Sequence, residues 1–461
     1  MNTLECIKKL KIRMNKIEKD CLVNFFESIS KTFEYIVMRN ADELPFDNFS
    51  NDVDILIDKK TYKSFECQMN KIFIKHGFDR VERTSFHGIE CYTFYNIKNE
   101  QSYSLKIDLF FNYEGGGVLY YKFEDVIKFK IENHNGISIF NPKTESYLTV
   151  LKTLAAGGTA KEKYLKEFLK YNTNDKNELL NKCLSPTLKK YLIDIINTKK
   201  NPAIVSRKKI ILQTLLSNIK SNPIKSFSRL FYHYKTETVR AFKKQYIIVL
   251  VGPDGSGKTT LIDMLESDSI NIFRSGTNRF KVFHHRPHVL PNIAHIFKKE
   301  INEKEEFDLN FNPHSENVSN PITSLIKLIY YAFDYILGYL IKLIPMQREN
   351  KFIIFDRYFF DFIVDQKRSA IKINKSVAIL IYKLLIPKPN QVFFIKVDAQ
   401  KAHDRKKELP VKSIEEINGN YDLLSKSLKN FDVIYNDDLH KAYNKLRVNF
   451  IKTISSQMII K

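Results

Sequence analysis

Apolar residues recur at helical spacing near the start of the chain, at Cys21, Leu22, Phe25, Phe26, Ile29, Phe33 and Ile36. This predicts a helix over residues 1–35 that buries one stripe. The period then drops to two. Tyr35–Arg39 predicts a strand and Asp52–Ile57 a second, with Asp52, Asp54 and Leu56 on one side and Val53, Ile55 and Ile57 on the other. A similar strand runs through Tyr103-Ser-Leu-Lys-Ile-Asp108-Leu-Phe, and Glu114-Gly-Gly-Gly-Val reads as a turn. From Pro142 to about Lys235 the helical period returns, with Gly157-Gly158 ending one helix before the next begins. Lys199–Lys209, which contains Pro202, reads as a linker, and residues 218–244 as a basic, aromatic connector. Beyond it, five short apolar runs alternate with helical stretches: Ile247–Val251, Phe280–His285, Phe352–Phe355, Gln391–Val397 and Phe431–Tyr435. Such alternation predicts a parallel sheet covered by helices on both faces. The chain thus divides into an α+β domain over 1–140, a helical basic bundle over 141–235 and an α/β domain over 245–461.

Composition changes this picture little. The 461 residues are 43% hydrophobic, ample for packed cores, and the formal net charge is +22. A positive balance of this size suits anionic partners. Yet the lysines are scattered, Asn and Ile are abundant as well, and no dense basic arm is present. Five widely spaced cysteines without a CxxC pair support neither a disulfide framework nor a zinc site, which favours a reducing, cytoplasmic setting. The first twenty residues are charged and lack the apolar core of a signal peptide. Leu325–Pro345 has the length to span a bilayer, but Lys327, Asp334 and Lys342 interrupt it. It reads as a buried helix, with peripheral membrane contact as the alternative.

The most specific chemistry follows the strand Ile247–Val251. Gly252-Pro-Asp254-Gly255-Ser256-Gly257-Lys258-Thr259-Thr260 leads into an apolar helix start at Leu261 and Ile262. Strand, glycine loop and helix in this order form a phosphate-binding P-loop. The glycines let backbone N–H groups turn toward an anion, and the helix start adds its positive dipole end. Lys258 is expected to reach the β- and γ-phosphates, and the Thr259 hydroxyl to ligate Mg²⁺.

In the first domain, Asp52 and Asp54 point the same way from one strand, and Asp108 lies on another. Hard cations take such oxygen ligands. The stretch from about 30 to 115 resembles the nucleotidyltransferase superfamily of polymerase-β type, which carries a D-x-D pair and a third Asp. The resemblance implies that Asp52, Asp54 and Asp108 hold Mg²⁺ for nucleotidyl transfer. The family's upstream glycine pair is replaced here by Met38-Arg39-Asn40-Ala41.

Residues 245–455 resemble thymidylate kinase and its nucleoside monophosphate kinase relatives. The resemblance rests on GPDGSGKTT, on Phe355-Asp356-Arg357-Tyr358 at a strand end, on VDAQKAHDRKKE and on FDVIYND. It implies that ATP and Mg²⁺ are the cofactors, that Asp356 serves the metal or acts as base, that Arg357 binds the acceptor and that Arg405 is a lid arginine. Two departures bear on the acceptor. Asp334 is followed by Tyr335 where the family has Asp-Arg, and Asp361 stands where a Ser is expected. Asp361 and Asp365, one turn apart, are either an acidic wall facing a hydroxyl- or amine-bearing acceptor or a solvated helix face. Arg286-Pro287, after the second strand, is either an acceptor loop or a simple turn.

The resulting expectation is an ATP/Mg²⁺-dependent kinase acting on a nucleotide and a small-molecule acceptor, with a sugar or polyol of surface-glycan precursor metabolism as the favoured acceptor. A true thymidylate or nucleoside monophosphate kinase is the first alternative and a nucleic-acid end kinase or binder the second. A dimer is compatible with all three.

Overall fold

The computed structural model describes residues 14–47, 51–86, 88–172, 178–242, 246–291, 320–349 and 351–458. The strands are β1 (Tyr35–Val37), β2 (Val53–Ile57), β3 (Arg80–Phe86), β4 (Ile89–Lys98), β5 (Gln101–Phe110), β6 (Tyr113–Gly115), β7 (Val118–Tyr121), β8 (Lys130–Glu132) and β9 (Ser138–Phe140), then β10 (Ile247–Val251), β11 (Phe280–His284), β12 (Phe352–Asp356), β13 (Gln391–Lys396), β14 (Phe431–Tyr435) and β15 (Ser456–Gln457).

The first helix covers Lys16–Ser30, where Asn15 and Glu18 form a reciprocal capping box. Its expected extension over 1–13 lies outside the described residues. This helix and Tyr62–Lys75 pack Phe25, Phe65 and Phe73 onto one face of a mixed sheet, against Val53, Ile55, Ile57, Ile107 and Leu109. The sheet order is β15-β3-β4-β5-β2-β1-β9-β8. Strand alternation sends Leu56 and Phe110 to the opposite face, where they join the core of the helical bundle with Tyr147, Leu151 and Leu192. Asp54 pairs with Asp108 in the parallel β2–β5 ladder. The carboxylates therefore share the face that the bundle borders. Both predicted strands here are shorter than expected: β1 ends at Val37, and Asp52 immediately precedes β2. The Glu114–Val118 turn closes a β6–β7 hairpin, with Gly116 and Gly117 at φ of 61° and 79°. The connector is two helices, Arg207–Ser221 and Pro223–Phe242, broken where Pro223 follows Asn222.

The C-terminal sheet is wholly parallel, in the order β11-β12-β10-β13-β14. Its strands are apolar on both sides because both faces are covered. Val249, Val251, Phe355 and Phe394 enter one core, and Ile248, Leu250, Ile354 and Phe393 the other. The polar stretch 296–319 lies outside the described residues. The helix expected to be buried runs Pro321–Gly338 and continues through a π-helical turn, Tyr339–Leu343. Only one of its faces is buried, at Leu328, Ala332 and Tyr335, whereas Ile322, Ile326 and Phe333 are exposed. Pro321–Met346 is long and apolar enough to cross a membrane by length and composition, with 33% of its most apolar stretch buried.

The two sheets are joined. β15, after the last helix, pairs antiparallel with β3 of the first sheet. Arg279 makes a bidentate ion pair with Glu82 at 3.0 and 2.8 Å, and its guanidinium lies 4.3 Å from the Phe273 ring centroid. Arg274 pairs with Glu18 and donates to the Ser104 carbonyl, and Arg447 donates to the Ser102 carbonyl.

Candidate active site

The glycine loop leaves the C-terminal end of β10, the central strand, where a parallel sheet opens its crevice. Gly255 and Gly257 have φ of 78° and 87°, a region that disfavours side chains. Space excludes them as well: a Cβ on Gly255 would strike the Ala402 carbonyl, and one on Gly257 the Asn436 amide. Asn436, just past β14, donates to the Ser256 carbonyl at 2.7 Å and holds the loop from the side.

Lys258 folds back over this loop. Its Nζ donates to the carbonyls of Gly252 (3.0 Å) and Pro253 (2.8 Å) and to Ser256 Oγ (3.3 Å). Burial, with Arg357 nearby, lowers its pKa to about 7. Thr259 Oγ1 donates to Asp356 Oδ2 at 3.2 Å. Thr260 is exposed beside it. Asp356 ends β12 and pairs in register with His284 at the end of β11, whose Nδ1 lies 3.4 Å from its carboxylate. Burial would raise the Asp356 carboxyl, but His284, Lys258 and Arg357 overcome it and hold it at about 2. Its other oxygen, Oδ1, is buried with no hydrogen-bond partner among the described residues.

Arg357 lies in the left-handed region, φ 72°, where a non-glycine residue is strained. Ion pairs on both sides fix it there: Nη2 to Asp254 Oδ1 at 2.5 Å and Nη1 to Asp361 Oδ2 at 3.0 Å. The Tyr421 hydroxyl donates to Asp361 Oδ1 at 2.7 Å. This corrects the acidic-wall reading. Asp361 is completely buried, with both oxygens engaged, and faces no open acceptor space. Arg357, expected at the acceptor, spans from the loop to this buried acid. Asp254 also pairs with Arg368, and Lys406 Nζ stands 4.0 Å away. Burial opposes ionisation of Asp254, but Arg357, Arg368 and Lys258 hold its carboxyl far below the usual range. Arg405 is exposed at the end of the Ala399–Arg405 helix.

Asp334 also has a supporting role. Fully buried, it accepts from Arg286 Nη1 (3.0 Å) and from the backbone N–H groups of His288, Val289 and Leu290. It thereby shapes the loop after β11, and Arg286 is spent on holding that loop. His285 within this loop is half-buried; its Nε2 is inaccessible and has no hydrogen-bond partner among the described residues, and its ring centroid lies 5.0 Å from that of Phe362. Burial lowers its pKa to about 4, so the ring is neutral. Arg368, His284, His285 and Asn436 escaped the sequence reading. The His-His doublet closing a strand, and Lys367-Arg368 soon after Asp365, were the available signals.

The second cluster forms in the first sheet. Ligand atoms of Asp52, Asp54 and Asp108 lie within 4.8 Å of one another. Arg39 pairs with Asp54 at 2.7 Å, and Lys106 bridges Asp52 (3.3 Å) and Asp108 (2.8 Å). Burial and the neighbouring Asp54 raise the Asp52 carboxyl. Asp108 Oδ1 is buried and unpartnered among the described residues.

No family model matches the chain, and no curated protein matches it. Among solved structures, the chain is similar to a thymidylate kinase from Ehrlichia chaffeensis, with 19% identity and a TM-score of 0.31 over 46% of this chain and 98% of that one.

Proposed function

We propose that the C-terminal half is an ATP/Mg²⁺-dependent phosphotransferase that moves the γ-phosphate to a small acceptor. The single observation that carries this reading is the assembly of Lys258, Thr259 and Asp356 around the glycine loop. The residues fit the cofactors. The loop carbonyls already gather an ammonium where a triphosphate would draw it. Asp356 Oδ1 is a buried oxygen without a hydrogen-bond partner among the described residues, beside a threonine hydroxyl, which suits a magnesium site. Thr259 and Asp356 would hold the ion, which supplies charge neutralisation on the phosphates.

The protein's own contribution is positioning. Phosphoryl transfer asks for in-line placement and for cations around the transferring oxygens. Lys258 leaves the loop carbonyls for the phosphates. Arg368 and Lys406 stand at the loop's mouth, and Arg405 serves as lid arginine from the end of its exposed helix. Arg357 keeps Asp254 and the loop in shape. A sugar or polyol of surface-glycan precursor metabolism is the favoured acceptor, since Arg286 is tied to Asp334 and leaves one fewer cation for a second phosphate. ADP formation against sugars, polyols, nucleoside monophosphates and nucleic-acid ends tests this. Turnover is expected with a sugar or polyol and lost in Lys258→Ala. Selective turnover of a nucleoside monophosphate or a nucleic-acid end would reassign the acceptor, and unchanged turnover in Lys258→Ala would remove the kinase reading.

A second reading, nucleotidyl transfer, is favoured by the Asp52/Asp54/Asp108 cluster. The unpartnered Asp108 Oδ1 suits a divalent cation, and the three acids would hold it to polarise a triphosphate. Pyrophosphate release that disappears in Asp54→Asn but persists in Lys258→Ala is the expected signature.

A further inference from the structure

Between the two halves lies a cavity of about 350 Å³ whose lining side chains are all polar. Strand length explains why a hollow forms there. β2 pairs with β5 only from Ile107 to Phe110, so the same edge of β5 is left open at Ser102 and Ser104. Arginines from the C-terminal half cap this edge in place of a strand. Arg447 Nη1 donates to the Ser102 carbonyl at 2.8 Å, and Arg274 Nε to the Ser104 carbonyl at 2.9 Å. An arginine side chain holds the next element farther away than the ~4.8 Å of a paired strand, and space remains between them.

The charges in this cavity cancel. Arg274 pairs with Glu18, and Arg447 with Asp268 at 2.6 Å. The Tyr443 hydroxyl and the Asn271 amide also donate to Asp268, at 2.7 and 2.6 Å. Two cations answer two anions, so the cavity selects neither sign of charge. It does hold unspent hydrogen-bonding capacity. Ser102 Oγ lines it, buried and without a partner among the described residues. A buried hydroxyl left unbonded costs free energy, so it calls for a partner from outside the chain. A hydroxyl group donates and accepts at once. A molecule bearing several of them suits carboxylates, guanidiniums and amides together and adds no charge. Tyr103 and Tyr443, the lining's only rings, offer flat surfaces for its C–H groups. A hydrophobic ligand finds no aliphatic wall here, and a phosphorylated one meets Glu18 and Asp268.

We propose that this junction cavity binds an uncharged polyhydroxylated molecule, a monosaccharide or polyol, at a site separate from the glycine loop. Asp268 caps the far end of the helix Lys258–Ser267, which begins at that loop, so its 10 residues put the two sites about 15 Å apart. The ligand touches Ser102 on the first half and Asn271 and Asn444 on the second. It fastens the junction and takes no part in phosphoryl transfer. Domain junctions are a common place for such small-molecule sites.

The test titrates the full-length protein with D-glucose, ribitol and myo-inositol, and with inorganic phosphate and glycine as charged comparisons, by saturation-transfer NMR. At least one of the three uncharged probes is expected to bind saturably and ~10-fold or more tightly than phosphate or glycine. Ser102→Ala removes a hydroxyl that bonds nothing in the protein. Its thermal midpoint should stay in place while the affinity for that probe falls by about fivefold, the worth of one hydrogen bond. Asn444→Trp, from a half-buried lining position, closes the cavity and should abolish the binding. The bound probe should also raise the thermal midpoint of the unaltered protein but not that of Asn444→Trp. If Asn444→Trp folds poorly, the Ser102→Ala affinity decides alone. No saturable binding of the three probes, tighter binding of phosphate or glycine, or probe binding that Ser102→Ala leaves unchanged would overturn the assignment.

Discussion

Lys258 is a buried ammonium held by three uncharged oxygens, and its pKa of about 7 makes it titrate where most lysines do not. Its folded value lies below its unfolded one, so between about pH 7 and 10 the folded protein binds fewer protons than the unfolded chain. Its burial penalty is therefore full below pH 7 and relieved as pH rises. A triphosphate demands the charged form. At pH 8.5 ATP binding should take up close to one proton, and affinity should fall by roughly tenfold or more from pH 7 to 8.5. Calorimetry in buffers of different ionisation enthalpy measures this, and Lys258→Met should abolish the uptake. The companion expectation concerns Asp356, held at about 2. Asp356→Asn removes the unpartnered carboxylate oxygen. It should raise the Mg²⁺ concentration for half-maximal turnover by ~10-fold or more, while Mg²⁺-free ATP binding changes less. Equal loss of both would assign Asp356 to loop support alone.

At the scale of elements, the turn after β12 carries the strain, and the acid behind it decides its role. Asp361 fixes Arg357 from a helix of one turn, Asp361–Val364, and Tyr421 fixes Asp361. Asp361→Asn keeps the shape but removes the charge that pairs with a fully buried guanidinium. We expect a loss of about 3 kcal/mol in urea unfolding, the range for breaking a buried pair. An acceptor-facing acid would instead raise the acceptor KM and leave the unfolding midpoint in place. A folded Asp361→Asn protein with only that KM change would restore the acidic wall. The glycine loop was legible in sequence because its geometry is local: nine consecutive residues, a strand before and a helix after. Asp52, Asp54 and Asp108 were legible because strand alternation fixes sides, and parallel pairing brought Asp108 beside Asp54. Asp361 was misread because helical spacing reports which residues share a face but not what that face meets. Arg368 and Asn436 were invisible for the same reason, since each reaches the loop across more than 100 residues of chain. The apolar Pro321–Gly338 helix was read as buried from hydropathy alone, which cannot count how many faces find partners.

At the scale of the molecule, the two sheets share buried ion pairs and a sheet edge. Arg279 and Glu82 are both nearly inaccessible, and Arg279 also stands 4.9 Å from the Phe352 ring centroid, in the core under β10 and β12. Tyr95 of β4 is packed into that same core with Ile248, Phe393 and Phe450. The C-terminal half thus borrows part of its apolar cover from the first sheet and lends β15 to it. Units that share a core and a sheet edge unfold together, because opening either exposes the other's buried surface. Calorimetric unfolding of the intact chain is therefore expected to give one cooperative transition. Glu82→Ala leaves the Arg279 guanidinium buried and uncompensated, at a cost of about 3–5 kcal/mol. Because that cost falls on the junction, it should split the transition, with the half that keeps more of its own core melting second. Two transitions in the unaltered protein, or a Glu82→Ala variant with an unchanged profile, would mean that the halves are stable apart and that the junction positions them without sharing their stability.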